Sequence, residues 1–163
     1  EMMRLLAQLG ADPKIPNDEG STPLMAAAGL GTRSPGEDAG TEEEVVEAIQ
    51  AALDLGNDIN AVDAKGETAM HGAAYKNLPG AVQILADKGA DINIWNRKNA
   101  KGWTPLWIAR GYRFGNFKPS PETTVVLEKV MTAKGVSITD NEPNDNCDSH
   151  SQEACKNAKT VNK

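Results

Sequence analysis

Histidine, cysteine and aromatic residues are scarce in this chain, and each shortage removes a class of function. There are two histidines and two cysteines in 163 residues, and aromatics make up 4%. No Gly-rich phosphate loop, G-x-S-x-G, H-E-x-x-H or C-x-x-C occurs, so the common nucleotide, hydrolase, metalloprotease and redox signatures are missing. Without a base paired to a nucleophile, catalysis by this segment is not expected. Positive charge is also in deficit: 17 Lys and Arg face 23 Asp and Glu, a formal net charge of -6. That balance argues against wrapping a nucleic-acid backbone, where a basic face supplies most of the affinity, and against an anionic membrane surface. No apolar run approaches the roughly 18 residues needed to cross a bilayer. Glu1 sits inside an expected helix, so the chain is expected to begin partway through a longer protein, and the missing signal peptide says nothing of destination.

What the sequence does contain is repetition. With 39% hydrophobic and 25% charged residues the chain has an ordinary globular balance, long enough for one domain with a useful core. The phrase Gly20-Ser21-Thr22-Pro23-Leu24 returns as Gly102-Trp103-Thr104-Pro105-Leu106, with a looser copy at Gly66-Glu67-Thr68-Ala69-Met70-His71. A second phrase occurs as Gly10-Ala11-Asp12, Gly56-Asn57-Asp58-Ile59-Asn60, Gly89-Ala90-Asp91-Ile92-Asn93 and a degraded Lys134-Gly135-Val136, at spacings of 46, 33 and 46 residues. A 33-residue period with a T-P-L-H-x-A phrase is a repeat signature.

On these residues the chain resembles an ankyrin-repeat array of the bacterial type with long inter-helix insertions, over residues 1 to about 136. The resemblance implies an all-α solenoid of stacked helix pairs joined by short hairpin fingers. Its register gives a partial repeat over residues 1–13 and repeats from about Asn17, Asp63 and Lys98. The chemistry of each phrase agrees. Thr22, Thr68 and Thr104 can cap helices, and Pro23 and Pro105 suit a first helical turn, which needs no N–H donor. Ala26 to Ala28, Ala73, Ala74 and Ala109 keep inner helices slim. Outer helices show apolar periodicity in Val45, Val46, Ile49 and Leu53, in Val82, Ile84 and Leu85, and in Val125, Val126, Val130 and Met131. Gly10, Gly56, Gly89 and Gly135 fall where helices should stop in a left-handed conformation, and Asn77 replaces the glycine usual between the two helices. His71 stands on the fourth letter of the signature, where the resemblance implies a structural hydrogen bond; with Met25 and Trp107 at the equivalent positions no ligand set repeats.

The departures from the period carry the functional expectations. The first 46-residue spacing holds a loop from Gly29 to Gly40, which enters its helix through Thr41-Glu42-Glu43-Glu44, a capping-box match. Three consecutive helical carboxylates point apart, so capping explains them better than a metal does. The last spacing holds extra residues around Trp95 to Asn99 and a loop from Gly111 to Pro119, after which Ser120-Pro121-Glu122 restarts the helix. Tyr112, Arg113, Phe114 and Phe117 in this second loop are expected on the loop surface, and the two loops are expected to meet over Asn77-Leu78-Pro79, or else to stand as separate solvated loops. Partner-facing candidates on the fingers and inner helices are Lys65, Glu67, Tyr75, Trp95, Arg97, Lys98 and Trp103, with Ser21 beside them, since Trp and Arg often dominate interfaces. Local shielding is the competing explanation for the two tryptophans.

Residues 137–163 form a polar tail too poor in apolar residues to fold alone. Cys147 and Cys155 can form a local disulfide, which would favour an exported, oxidising location. Cys147, His150 and Cys155, with Asp148, can also be read as incomplete zinc ligands, or the thiols as free in a cytosolic tail. No cofactor and no metal are assigned. The expectation is a monomeric, non-catalytic array that recognises an unidentified protein, or an accessory domain packing in cis against an upstream portion of a larger protein.

Overall fold

Threonine recurs at the starts of the inner helices because its short side chain can accept a backbone N–H that the first turn leaves unused. In the computed structural model, which describes residues 2–32, 40–113 and 118–138, this happens twice with the side-chain oxygen. Thr22 caps α2 (Pro23–Ala27) by accepting from the Met25 N–H at 3.3 Å, and Thr104 caps α7 (Pro105–Ala109) by accepting from the Trp107 N–H at 3.4 Å. The third inner helix is α4 (Ala69–Lys76), preceded by Thr68.

The outer helices are α1 (Met2–Gln8), α3 (Glu42–Asp54), α5 (Pro79–Asp87) and α8 (Pro121–Ala133). Thr41 and Glu44 make the reciprocal bonds of the capping box on α3, at 2.8 and 3.3 Å, and Ser120 caps α8 by accepting from the Thr123 N–H at 3.2 Å. One further helical turn, α6 (Ile92–Trp95), lies in the long third finger, where only an insertion was expected. The described residues contain helices and no strands.

Each inner helix packs against the outer helix that follows it: α2 on α3, α4 on α5, α7 on α8. Inner helices also stack in the order α2, α4, α7, and outer helices in the order α1, α3, α5, α8. The result is a two-layer all-α solenoid. Its core runs between the layers, from Leu24 and Met25 through Ile49, Met70, Val82 and Leu85 to Leu106, Ile108, Leu127 and Met131. Gly10, Gly56, Gly89 and Gly135 all have the expected positive φ, and Asn77 is the sole described non-glycine residue with one, at 58°.

Val125 departs from expectation. It is 62% exposed, while Leu127 is fully buried. The buried set on α8 is Thr123, Leu127, Val130 and Met131, a stripe at intervals of four, three and one; Val125 lies two positions from Thr123, on the opposite face.

Close stacking of inner helices shows most clearly at Gly72. A Cβ there would lie 2.8 Å from the Leu30 backbone nitrogen and 3.1 Å from the Met25 carbonyl oxygen, so α4 approaches the end of α2 at backbone distance. Alanine at position 72 would gain about 1 kcal/mol of helix propensity but must push two repeats apart, at a typical overpacking cost of about 1–3 kcal/mol. We expect Gly72→Ala to lower the urea midpoint; an unchanged or raised midpoint would show that the stack yields freely.

Candidate functional site: the fingers and the inner-helix face

Three residues at one position of the repeat build the fingers. Asn17 Oδ1 accepts from the Glu19 and Ser21 N–H groups at 3.0 and 2.9 Å, Asp63 Oδ1 from Lys65 and Glu67 at 2.8 and 2.8 Å, and Asn99 Oδ1 from Lys101 and Trp103 at 2.9 and 3.1 Å. Each turn is closed by a backbone bond from the same residue, Asn17 to the Ser21 carbonyl, Asp63 to Glu67 and Asn99 to Trp103. Neighbouring fingers are joined side by side, with the Ala64 N–H on the Glu19 carbonyl at 2.9 Å and the Ala100 N–H on the Lys65 carbonyl at 2.7 Å. Sequence reasoning passed over Asp63 and Asn99 as organisers. Their signal was available: an Asn or Asp three positions before the glycine of every Gly-x-Thr phrase, a residue type that bonds its own downstream backbone.

His71 ties the second repeat to the third finger. Its Nδ1 accepts from the Thr68 N–H at 3.2 Å, with the Thr68 hydroxyl 3.0 Å away, so the ring proton sits on Nε2 and is donated to the Arg97 carbonyl at 3.2 Å. The ring is completely buried. Burial pushes its pKa down to about 4, against a partial rise from backbone acceptors. The structural role expected of His71 holds. At the equivalent position Met25 offers its sulfur to the Thr22 N–H at 3.4 Å. Because the folded pKa lies below the ordinary 6.5, folding favours the neutral ring. The contribution is therefore complete above pH 6.5 and is lost as pH falls towards about 4, by up to about 3 kcal/mol. Urea titrations across that window should show the native chain losing stability more steeply than His71→Gln; parallel curves would mean that His71 carries no such term.

Glu67, Tyr75 and Asn99 form a cluster between the second and third fingers. Glu67 Oε1 accepts from the Tyr75 hydroxyl at 2.9 Å and from Asn99 Nδ2 at 2.9 Å, and Asn99 Nδ2 also reaches the Tyr75 oxygen at 3.1 Å. Burial raises the Glu67 carboxyl above its usual range, opposed by those two donors, and burial likewise pushes the Tyr75 hydroxyl up. Both side chains are partly open to solvent. Lys65 and Lys98 are exposed, and so is Arg97, whose Nε donates to the Asn93 carbonyl at 2.7 Å.

The two tryptophans are corrections. Trp95 is 2% exposed and Trp103 9%, both in the central core, so neither offers its ring to a partner. Helix α6 leads from the repeat phrase into the inserted residues, and its final residue, Trp95, is buried. Their place is with the alternative of local packing.

The second loop is likewise an inward structure over its described part. Tyr112 and Arg113, expected on the loop surface, are 5% and 7% exposed. Tyr112 packs edge-on against Trp107 with ring centroids 4.9 Å apart, and the Arg110 guanidinium lies 5.1 Å over the same indole. Arg113 Nη1 donates to the Ala74 and Tyr75 carbonyls at 3.3 and 2.7 Å, and Nη2 donates to Lys118. Its cation thus serves the open carbonyl end of α4, where the helix dipole is negative. Burial lowers its pKa to about 10, which leaves it charged at neutral pH. Asn77 Nδ2 reaches the Lys118 carbonyl at 2.8 Å, and from the first loop's side Glu42 Oε1 accepts from the Gly80 N–H. Residues flanking both loops therefore dock on the middle turn. Phe114 and Phe117 lie outside the described residues, as do Cys147 and Cys155. Replacing Arg113 by Ala should cost about 2–3 kcal/mol, since it removes charge-assisted bonds to buried carbonyls. Faster amide exchange in residues 119–124 should accompany that loss; unchanged exchange and midpoint would make the clamp dispensable.

No helix among the described residues is long and apolar enough to cross a membrane. The sequence model of ankyrin repeats, in three copies, matches residues 39–117. An ankyrin repeat protein of fowlpox virus (strain NVSL) is 50% identical over 50 residues, covering 31% of this chain and 12% of that protein. An ankyrin repeat domain-containing protein of monkeypox virus is 34% identical over 65 residues, covering 40% of this chain and 9% of its own length. Ankyrin repeat protein 14 of vaccinia virus (strain Western Reserve) is 34% identical over 65 residues, covering 40% of this chain and 26% of itself. The chain thus spans a small part of the relatives it matches.

Proposed function

This is an ankyrin-repeat protein, and from that premise we propose that it is a non-catalytic protein-recognition module presenting a rigid finger and inner-helix surface. Lys65, Glu67, Tyr75, Arg97 and Lys98 are its partner-facing residues. The observation that carries this reading is the closure of all three fingers by Asn17, Asp63 and Asn99, with backbone bonds between neighbours. A surface ordered before the partner arrives spares binding the cost of fixing loops, so more of each contact goes into affinity. Nothing in the proposal uses a reacting group: His71 is buried and committed, and Tyr75 and Glu67 bond each other.

A second reading, an accessory domain packing in cis against another part of a larger protein, is favoured by α1. That helix buries none of its residues, and Met2, Leu5, Leu6 and Leu9 are 68%, 49%, 47% and 75% exposed. Contiguous apolar surface of this kind commonly marks a contact face.

Affinity capture from native extract, run beside a Lys65→Ala/Arg97→Ala/Lys98→Ala form with an unchanged unfolding midpoint, separates the two. Under the first reading a protein held by the native array is retained about ten-fold less by the variant. Equal retention by both would move recognition away from the fingers.

A further inference from the structure

We infer that the second and third fingers together read an acidic peptide segment of the partner. This rests on the recognition reading above and names the chemistry of what is recognised.

The third finger is built where the repeat spacing breaks. Asp63 and Asn99 hold the same role in successive fingers yet stand 36 residues apart, three more than the period. The added length is fixed at both ends, by Asp91 capping α6 through the Asn93 N–H at 2.9 Å and by His71 holding the Arg97 carbonyl. Arg97 and Lys98 follow directly and are exposed. The Ala100–Lys65 backbone bond sets the second finger beside them, so Lys65, Arg97, Lys98 and Lys101 occupy two adjoining tips.

The carboxylates nearby belong to the second finger and the base of the third, where neutral donors hold them in place. Asp63 is 7% exposed and accepts from two backbone N–H groups and from Ser21 Oγ. Glu67 is bonded by Tyr75 and Asn99, and Asp91 is a helix cap. Glu19 pairs with Lys65 at 2.6 Å, with both side chains about half exposed, so this acid remains accessible at one margin. The third finger, residues 92–104, carries Arg97, Lys98 and Lys101 and no carboxylate, so its tip is locally positive on a chain of net charge -6. Charges beyond about 8 Å are largely screened at physiological salt, so the local set decides the encounter. A peptide with spaced carboxylates fits this arrangement better than a continuous phosphate backbone, which would also meet Glu19 and Glu67.

The test is selection of displayed random peptides of about ten residues, ~33 Å when extended, on the whole chain at about 0.15 M salt. Affinities are then measured on the native chain and on Arg97→Glu/Lys98→Glu, with the unfolding midpoint as the folding control. We expect enriched peptides rich in Asp and Glu that bind the reversed variant about ten-fold more weakly, with Lys-for-Glu peptides recovering affinity for that variant. Enriched peptides that are neutral or apolar and indifferent to the reversal would overturn the acidic assignment while leaving protein recognition standing. No enrichment on the native chain would remove both. A single-stranded oligodeoxythymidine bound as tightly, and with the same dependence on Arg97 and Lys98, would replace a peptide reader with a polyanion binder.

Discussion

The close stacking of α4 on α2 and α7 is the constraint from which the rest of the molecule follows. Short inner helices rich in alanine, with Gly72 meeting the end of α2 at backbone distance, let successive repeats lie near enough for their fingers to bond side by side. The lateral N–H to carbonyl bonds from Ala64 and Ala100 form only at that separation. Wider inner helices would keep the same hairpins but leave them apart, and each would lose the neighbour that limits its motion.

Polar groups buried by this stacking are used as fasteners between repeats. His71 carries a bond from the second repeat into the third finger, and Asn57 joins the partial repeat to the first full one by accepting from the Leu24 N–H and donating to the Pro13 and Ala52 carbonyls. Arg113 does the same from the opposite side, returning from the third repeat to the carbonyl end of α4. Buried groups of this kind cost stability unless every bond is made, so they favour one register of stacking over its alternatives. The middle repeat is held on both faces as a result, by Glu42 at the start of α5 and by Arg113 and Lys118 at the end of α4.

That rigidity bears on recognition. The outward cations Arg97, Lys98 and Lys101 stand on a finger that Asn99, a neutral amide, closes and that holds no carboxylate, so the surface charge of its tip differs from that of the chain as a whole. Affinity in such a surface comes from a few fixed groups and little reorganisation. The same economy explains why neither tryptophan is displayed: each supports the finger from within.

Spacing and residue type established the repeats, the caps at Thr22, Thr41, Thr104 and Ser120 and the left-handed glycines, while the all-α class, the left-handed Asn77 and the structural duty of His71 came from the resemblance that those repeats carried. The caps and left-handed turns are local decisions, set by a residue and its neighbours within one turn of chain, whereas the His71 bond to Arg97 needs the neighbouring finger in place. Burial of Trp95, Tyr112 and Arg113 was not legible, because it depends on which surface the inserted residues fold against, and Trp103, at the free position of the Gly-x-Thr phrase, is buried only by the stack around it. An insertion has no period to read. Whether its side chains turn outward or inward is settled by the space left between α4 and its neighbours, as with Trp95 at the end of α6 and Arg113 at the end of α4. Asn99 stands between the two cases: its turn with the downstream backbone could be read from spacing, whereas its bonds to Glu67 and Tyr75 required the stack that brought two fingers together.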